Sequence, residues 1–222
     1  MTQHHAPGSE QPLILTIPGL DNSGPAHWQS IWEAERTDTV RADLGMWDRP
    51  HRNSWVTKLN DAISRADRPV ILAAHSLGCL AVAWWAALET QPFGQPVAGA
   101  LLVAPPEVDA AGPETRIAAF GPAPKLLLPF PSVVIASSND PYISIGRAHG
   151  LAKYWGSHFV DAGAHGHLNA ESGLGRFALA ETWLETLIQL TGSRGESAGT
   201  ATGAFAQLHA GQSARSGQAL FS

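Results

Sequence analysis

The stretch from Pro69 to Leu88, PVILAAHSLGCLAVAWWAAL, constrains the fold of this chain more than any other segment. It is about long enough to cross a bilayer, but Pro69, His75, Ser76 and Gly78 punctuate it. Its first half is apolar without alternation, as a strand covered on both faces should be. Its second half places Leu77, Leu80, Ala81, Trp84 and Leu88 at helical spacing. The reading is a buried strand that runs straight into a buried helix, in a soluble, cytoplasmic protein with no membrane partner.

The rest of the chain repeats that alternation. Residues 13–18, 97–103 and 132–137 are further apolar strands, and shorter ones are expected at 39–41 and 158–160. Between them lie helical stripes. One, capped by Ser23, carries Trp28, Ile31 and Trp32; another, from Asn53, carries Trp55, Leu59, Ala62, Ile63 and Ala66. A helix running to Trp155 follows, and a last one carries Leu174, Phe177, Ala180, Leu184, Leu187 and Ile188. Strands alternating with helices predict an α/β fold with a mostly parallel central sheet of about six strands and helices on both faces. Residues 105–131 are rich in Pro and Ala, with room only for a small helix around Thr115 to Phe120, so no large lid is expected. The folded domain is placed at 12–191, after a flexible N-terminus (1–11) and before a Gly/Ser/Ala/Gln-rich tail (192–222) expected to be disordered.

Charge narrows the partners. Lys and Arg total 14 against 19 Asp and Glu, and the formal net charge is −5. Without a basic stripe, nucleic acid is not an expected partner. The one cysteine, Cys79, cannot form an intramolecular disulfide, which suits a reducing compartment.

The chemistry centres on Ala74-His75-Ser76-Leu77-Gly78 at the strand-to-helix junction. This matches the nucleophile-elbow pattern G-x-S-x-G with Ala at the first position. Small residues two before and two after the serine let strand and helix approach closely. A serine hydroxyl needs a base, and the base needs an orienting acid. In this architecture the order is Ser, then an acid after a later strand, then His after the last strand. Asp140 closely follows the strand SVVIASS, and His167 follows SHFVDAG. His165 is an alternative base and Asp161 an alternative acid. The His165-Gly166-His167 spacing also occurs in metal sites, but no further ligand set completes it, so no metal or cofactor is expected. The backbone N–H of Leu77 and that of Leu20, in Pro18-Gly19-Leu20, are the expected oxyanion donors. Trp28 and Trp47, near the loops at the catalytic end, are candidates to line a substrate pocket.

The segments IPGLDNSGPAHWQSIWE (17–33), AAHSLGCLA (73–81), SSNDPYIS (137–144) and GHLNAESGLGRF (166–177) resemble the retinoblastoma-binding protein 9-like serine hydrolases, a family within the α/β-hydrolases. The resemblance implies an α/β-hydrolase fold and a triad on Ser76, Asp140 and His167. It favours His167 over His165 through the Gly166-His167-Leu168 step. The expected activity is hydrolysis of a small carboxylic ester, or an amide, through an acyl-enzyme. The second reading is a catalytically weak protein-binding module on the same scaffold. No specific protein partner is legible.

Overall fold

Six strands form one parallel sheet in the computed structural model, which describes residues 11–110 and 114–193. The strands are β1 (Leu13–Ile17), β2 (Thr39–Arg41), β3 (Val70–His75), β4 (Val97–Val103), β5 (Ser132–Ala136) and β6 (His158–Asp161). Their spatial order is β2-β1-β3-β4-β5-β6. In register, Leu15 pairs with Val40 and Leu72, Leu72 with Ala100, and Val134 with Leu102 and Phe159. The helices are α1 (Trp28–Glu35), α2 (Arg52–Ser64), α3 (Leu77–Leu88), α4 (Ile145–Trp155) and α5 (Ala178–Ser193). Almost all of the expected N-terminal segment and the 192–222 tail lie outside the described residues.

The two-residue period of a strand divides the sheet between two cores. Leu15, Ile17, Leu72, Ala74, Leu102 and Val134 pack against Trp55, Leu59, Leu80 and Leu151 from α2, α3 and α4. Ile14, Ile71, Ala73, Leu101 and Val133 pack on the other face against Trp28, Trp32, Leu184 and Leu187 from α1 and α5. Every residue of β3 is buried, which is why its sequence shows no polar alternation. At roughly 1.5–3 kcal/mol per fully buried aliphatic side chain, these layers are the main favourable contribution to folding.

The chain runs from β1 out to β2 and then returns to place β3 on the other side of β1. The connections after β1 and β3 therefore leave toward opposite faces of the sheet, and a crevice opens between their carboxyl ends. That crevice is narrow at its base. A Cβ on Gly78 would lie 2.2 Å from the Ile17 carbonyl oxygen and 2.8 Å from that of Pro18. The bare glycine lets α3 seat directly on the end of β1.

Two helix starts differ from the sequence reading. The first helix begins at Trp28 and is capped by His27, whose Nδ1 accepts from the Gln29 N–H at 3.2 Å. Ser23 instead turns its buried hydroxyl to Gln29 Oε1 at 2.6 Å, because Gln29 is held inward by donating to the Ala73 carbonyl at 2.8 Å. The last helix begins at Ala178. Phe177 has φ of 55°, which a helix cannot contain, so Leu174 and Phe177 pack from the preceding loop. The segment before β5 forms only a 3₁₀ turn at Thr115–Phe120, and no large lid is present among the described residues. No helix among them is long and apolar enough to cross a membrane.

Candidate active site

Ser76 stands between β3 and α3 with φ 52° and ψ −123°, outside the regions that residues with a side chain normally adopt. Strain of this kind persists only where the surroundings impose it. Here the Ser76 N–H donates to the Val103 carbonyl at 2.9 Å, and the Ser76 carbonyl accepts from the Cys79 N–H at 2.9 Å. Gly19 closes the other side, where an added Cβ would lie 2.8 Å from the Ser76 Cβ. The side chain is thereby lifted out of the elbow into the crevice.

His167 and Asp140 meet it there from two other strand ends. The Ser76 Oγ lies 2.8 Å from His167 Nε2, and His167 Nδ1 lies 2.8 Å and 3.0 Å from the two Asp140 oxygens. A carboxylate only accepts, so Nδ1 carries the proton and Nε2 is free to accept from the serine hydroxyl. The Asp140 side chain is fully buried and also accepts from the Tyr142 N–H at 2.9 Å. Asp161, the alternative acid, is exposed and accepts from the Gly163 N–H at 2.8 Å. His165 is exposed too, and its backbone N–H donates to Ser137 Oγ at 2.9 Å.

The loop bearing His167 is held by Asn139, His75 and Trp28, in roles that the sequence did not assign to them. Asn139 Oδ1 accepts from the Gly166 N–H at 2.7 Å and from Ser137 Oγ at 2.9 Å. The His75 Nε2–H donates to the His167 carbonyl at 2.9 Å, and the Trp28 Nε1–H donates to the Leu168 carbonyl at 3.1 Å. The adjacent His27-Trp28 pair thus divides its work, His27 capping α1 and Trp28 anchoring the histidine loop. A signal for the His75 contact was present in the sequence, since a histidine beside an elbow serine on a fully buried strand needs a polar partner.

A cavity of about 330 Å³ opens above Ser76 and His167, bordered also by Leu20, Pro106, Ile117 and Tyr142. Neither Trp28 nor Trp47 lines it. Trp28 is 1% exposed and packs edge-on against Trp32 and Phe177, while Trp47 packs on Trp55 in the α2/α3 core. Both rings lie near the site because their helix or loop does, but each points its apolar area into a core. The Trp47 backbone contributes instead, its carbonyl accepting from the Asp21 N–H at 2.8 Å. The Leu20 and Leu77 N–H groups donate to no acceptor among the described residues, which leaves both available to an incoming oxygen. Among the described residues, no group of three or more His, Cys, Asp or Glu side chains is arranged to hold a metal ion.

Burial governs the two neighbouring imidazoles. His27 is pushed down to about 4, first by desolvation and then by the charges of Arg41 and His167. His75 is pushed well below its ordinary value, chiefly by desolvation. Both are therefore neutral in the folded protein at pH 7. Between pH 6.5 and about 4 the unfolded chain binds a proton at His27 that the folded chain does not. Stability is thus complete above pH 6.5 and falls as pH drops through this window, by on the order of 2–3 kcal/mol from His27. His75 adds a loss of the same sign. Urea midpoints measured from pH 7.5 to 4.5 test this; a flat profile would contradict the buried neutral pair.

Residues 14–186 match the serine hydrolase family model. Among solved structures, a protein described as a YdeN-like hydrolase from Pectobacterium atrosepticum is 32% identical, with 82% of this chain and 94% of that one aligned and a TM-score of 0.73. The ydeN gene product from B. subtilis aligns over 80% of this chain and 99% of its own at 16% identity and a TM-score of 0.65. A chain described as a hydrolase of the alpha/beta superfamily from Xanthomonas campestris aligns over 79% and 99% at 21% identity and a TM-score of 0.52. The sheet and its two helical layers are those of an α/β-hydrolase. No curated protein matches the chain.

Proposed function

The chain belongs to the serine hydrolase family, and from that premise we propose that it cleaves a small carboxylic ester through an acyl-enzyme on Ser76. The observation that carries this reading is the continuous pair of hydrogen bonds from Ser76 Oγ through His167 to Asp140. His167 Nε2 takes the hydroxyl proton as Ser76 Oγ attacks the carbonyl carbon. Asp140 keeps the imidazole in the accepting tautomer and stabilises the imidazolium. The N–H groups of Leu77 and Leu20 receive the oxyanion. As the tetrahedral intermediate collapses, His167 returns the proton to the departing alcohol. Water then enters, gives its proton to His167 and attacks the acyl carbon; collapse releases the carboxylic acid and restores the Ser76 hydroxyl.

The cavity supports a substrate with a short acyl group, as it is about 330 Å³ in volume. An amide meets the same geometry with a poorer leaving group and is the slower substrate. Within the family we place the chain beside the retinoblastoma-binding protein 9-like members, on the four sequence segments that resemble them. A fluorophosphonate probe tests the reading. The wild-type protein is expected to be labelled at Ser76 and to lose p-nitrophenyl acetate hydrolysis in proportion to labelling. A folded protein that is neither labelled nor active would favour the binding-module reading instead.

A further inference from the structure

We propose that Arg116 is a positioning residue, which ties the 3₁₀ turn over the cavity to the loop bearing the Leu20 N–H. The proposal rests on the acyl-transfer reading above, since the loop's placement matters to catalysis only if that N–H receives an oxyanion.

The geometry around Arg116 is saturated. Its Nε donates to Glu114 Oε1 at 3.0 Å and its Nη2 to Glu114 Oε2 at 2.8 Å. Nη1 and Nη2 grip the two oxygens of Asp21 at 2.9 and 3.0 Å, and Nη1 also donates to the Asp48 carbonyl at 3.3 Å. A guanidinium has five N–H donors, and these contacts occupy all of them. Arg116 borders the cavity, yet with two carboxylates on it, it has no donor left for a substrate anion. Its function lies in what it holds.

On one side it holds a loop under strain. Asp21 and Asn22, which directly follow Leu20, have φ of 60° and 65°. Consecutive left-handed residues other than glycine need external restraint. Asn22 receives it from Arg41, whose Nη1 donates to Asn22 Oδ1 at 3.0 Å. Asp21 is held at its backbone by the Trp47 carbonyl, which accepts from its N–H at 2.8 Å, and at its side chain by Arg116. On the other side Arg116 is carried by a well-seated element. Its neighbours Ile117 and Phe120 are buried in the α2/α3 core, and the Trp84 Nε1–H donates to the Phe120 carbonyl at 2.7 Å. The turn therefore transmits the position of that core to Asp21, and through one peptide unit to the Leu20 N–H.

The magnitudes separate this role from a general contribution to stability. Exposed ion pairs contribute little to folding, and the Arg116 side chain is 40% exposed. Complete loss of an oxyanion donor costs about 10²–10³ in kcat. Misplacing one donor without removing it is expected to cost about tenfold in kcat.

The experiment compares Arg116→Ala, Asp21→Asn, the double variant and Arg116→Lys in the full chain. Each single variant is expected to lower kcat on p-nitrophenyl acetate about tenfold, with KM within about threefold and Tm within about 2 °C of wild type. The double variant should be no slower than either single one, because both remove the same tie. Lysine keeps the charge but not the planar fork, so it should restore only part of the rate. The amides of Asp21 and Asn22 should exchange faster with deuterium in Arg116→Ala. A kcat within twofold of wild type, or multiplicative losses in the double variant, would overturn the proposal. Should wild type hydrolyse no ester, the acyl-transfer reading fails by itself. Unchanged exchange at Asp21 and Asn22 would then separately overturn the tie.

Discussion

Alanine in place of Ser76 or of His167 is expected to lower kcat by about 10⁶, and asparagine in place of Asp140 by about 10⁴, with the protein still folded. The three proposed roles explain the ranking. Without Ser76 there is no nucleophile, and without His167 there is no acceptor 2.8 Å from its hydroxyl. An amide at position 140 keeps the size of the carboxylate. It can, however, present its NH₂ to Nδ1, which favours the tautomer whose Nε2 carries the proton and cannot act as base. Because the groups act as one unit, the Ser76→Ala/His167→Ala double variant should be no slower than either single one. Steady-state hydrolysis of p-nitrophenyl acetate, with circular dichroism to verify folding, measures all of these. Near-normal turnover in Asp140→Asn would move the acid elsewhere and break the proposed mechanism.

Gly78→Ala is expected to destabilise the fold at or above the ~3 kcal/mol upper end of core overpacking. Most small-to-large changes meet side chains that can rotate away. The new methyl here would meet backbone, with the Ile17 carbonyl oxygen 2.2 Å and that of Pro18 2.8 Å from it. Neither oxygen moves without moving the end of β1, and β1 pairs with both β2 and β3. Relief requires α3 to lift from the sheet, which also displaces Ser76 at its N-terminus. At roughly 2–4 °C per kcal/mol for a chain of this size, Tm should fall by about 6 °C or more, and activity should fall with it. Thermal and urea unfolding report the first effect. A Tm within a degree or two of wild type would mean that the close approach of α3 to β1 is not obligatory.

How legible the fold was in the sequence differs from element to element, for physical reasons. The β4 strand at Val97–Val103 was readable to the residue, and the short turn at Thr115–Phe120 in its approximate place. An apolar run bounded by turn residues depends little on distant partners. The start of α1 was not readable, because Ser23 is the better cap by local preference. Gln29 overrides that preference by reaching across to the Ala73 carbonyl. Trp28 shows the same limit. Its helical stripe was legible, but the hydrogen bond of its ring to the Leu168 carbonyl spans most of the chain, and nothing in local spacing signals it.

Residue order alone was enough to specify alternating buried strands and amphipathic helices, a serine at a strand-to-helix junction, and an acid and a histidine after later strands. These follow from short-range periodicity and from the small side chains that a tight turn demands, which are local properties of the chain. Three features needed the assembled molecule: the hydrogen bond to the Val103 carbonyl that holds the Ser76 backbone, the anchoring of the His167 loop by Asn139 and Trp28, and the Arg116 grip on Asp21. Each depends on segments tens of residues apart meeting at one end of the sheet. The order of strands across that sheet decides which segments meet, and it is set by the packing of two helical layers against a shared set of buried side chains.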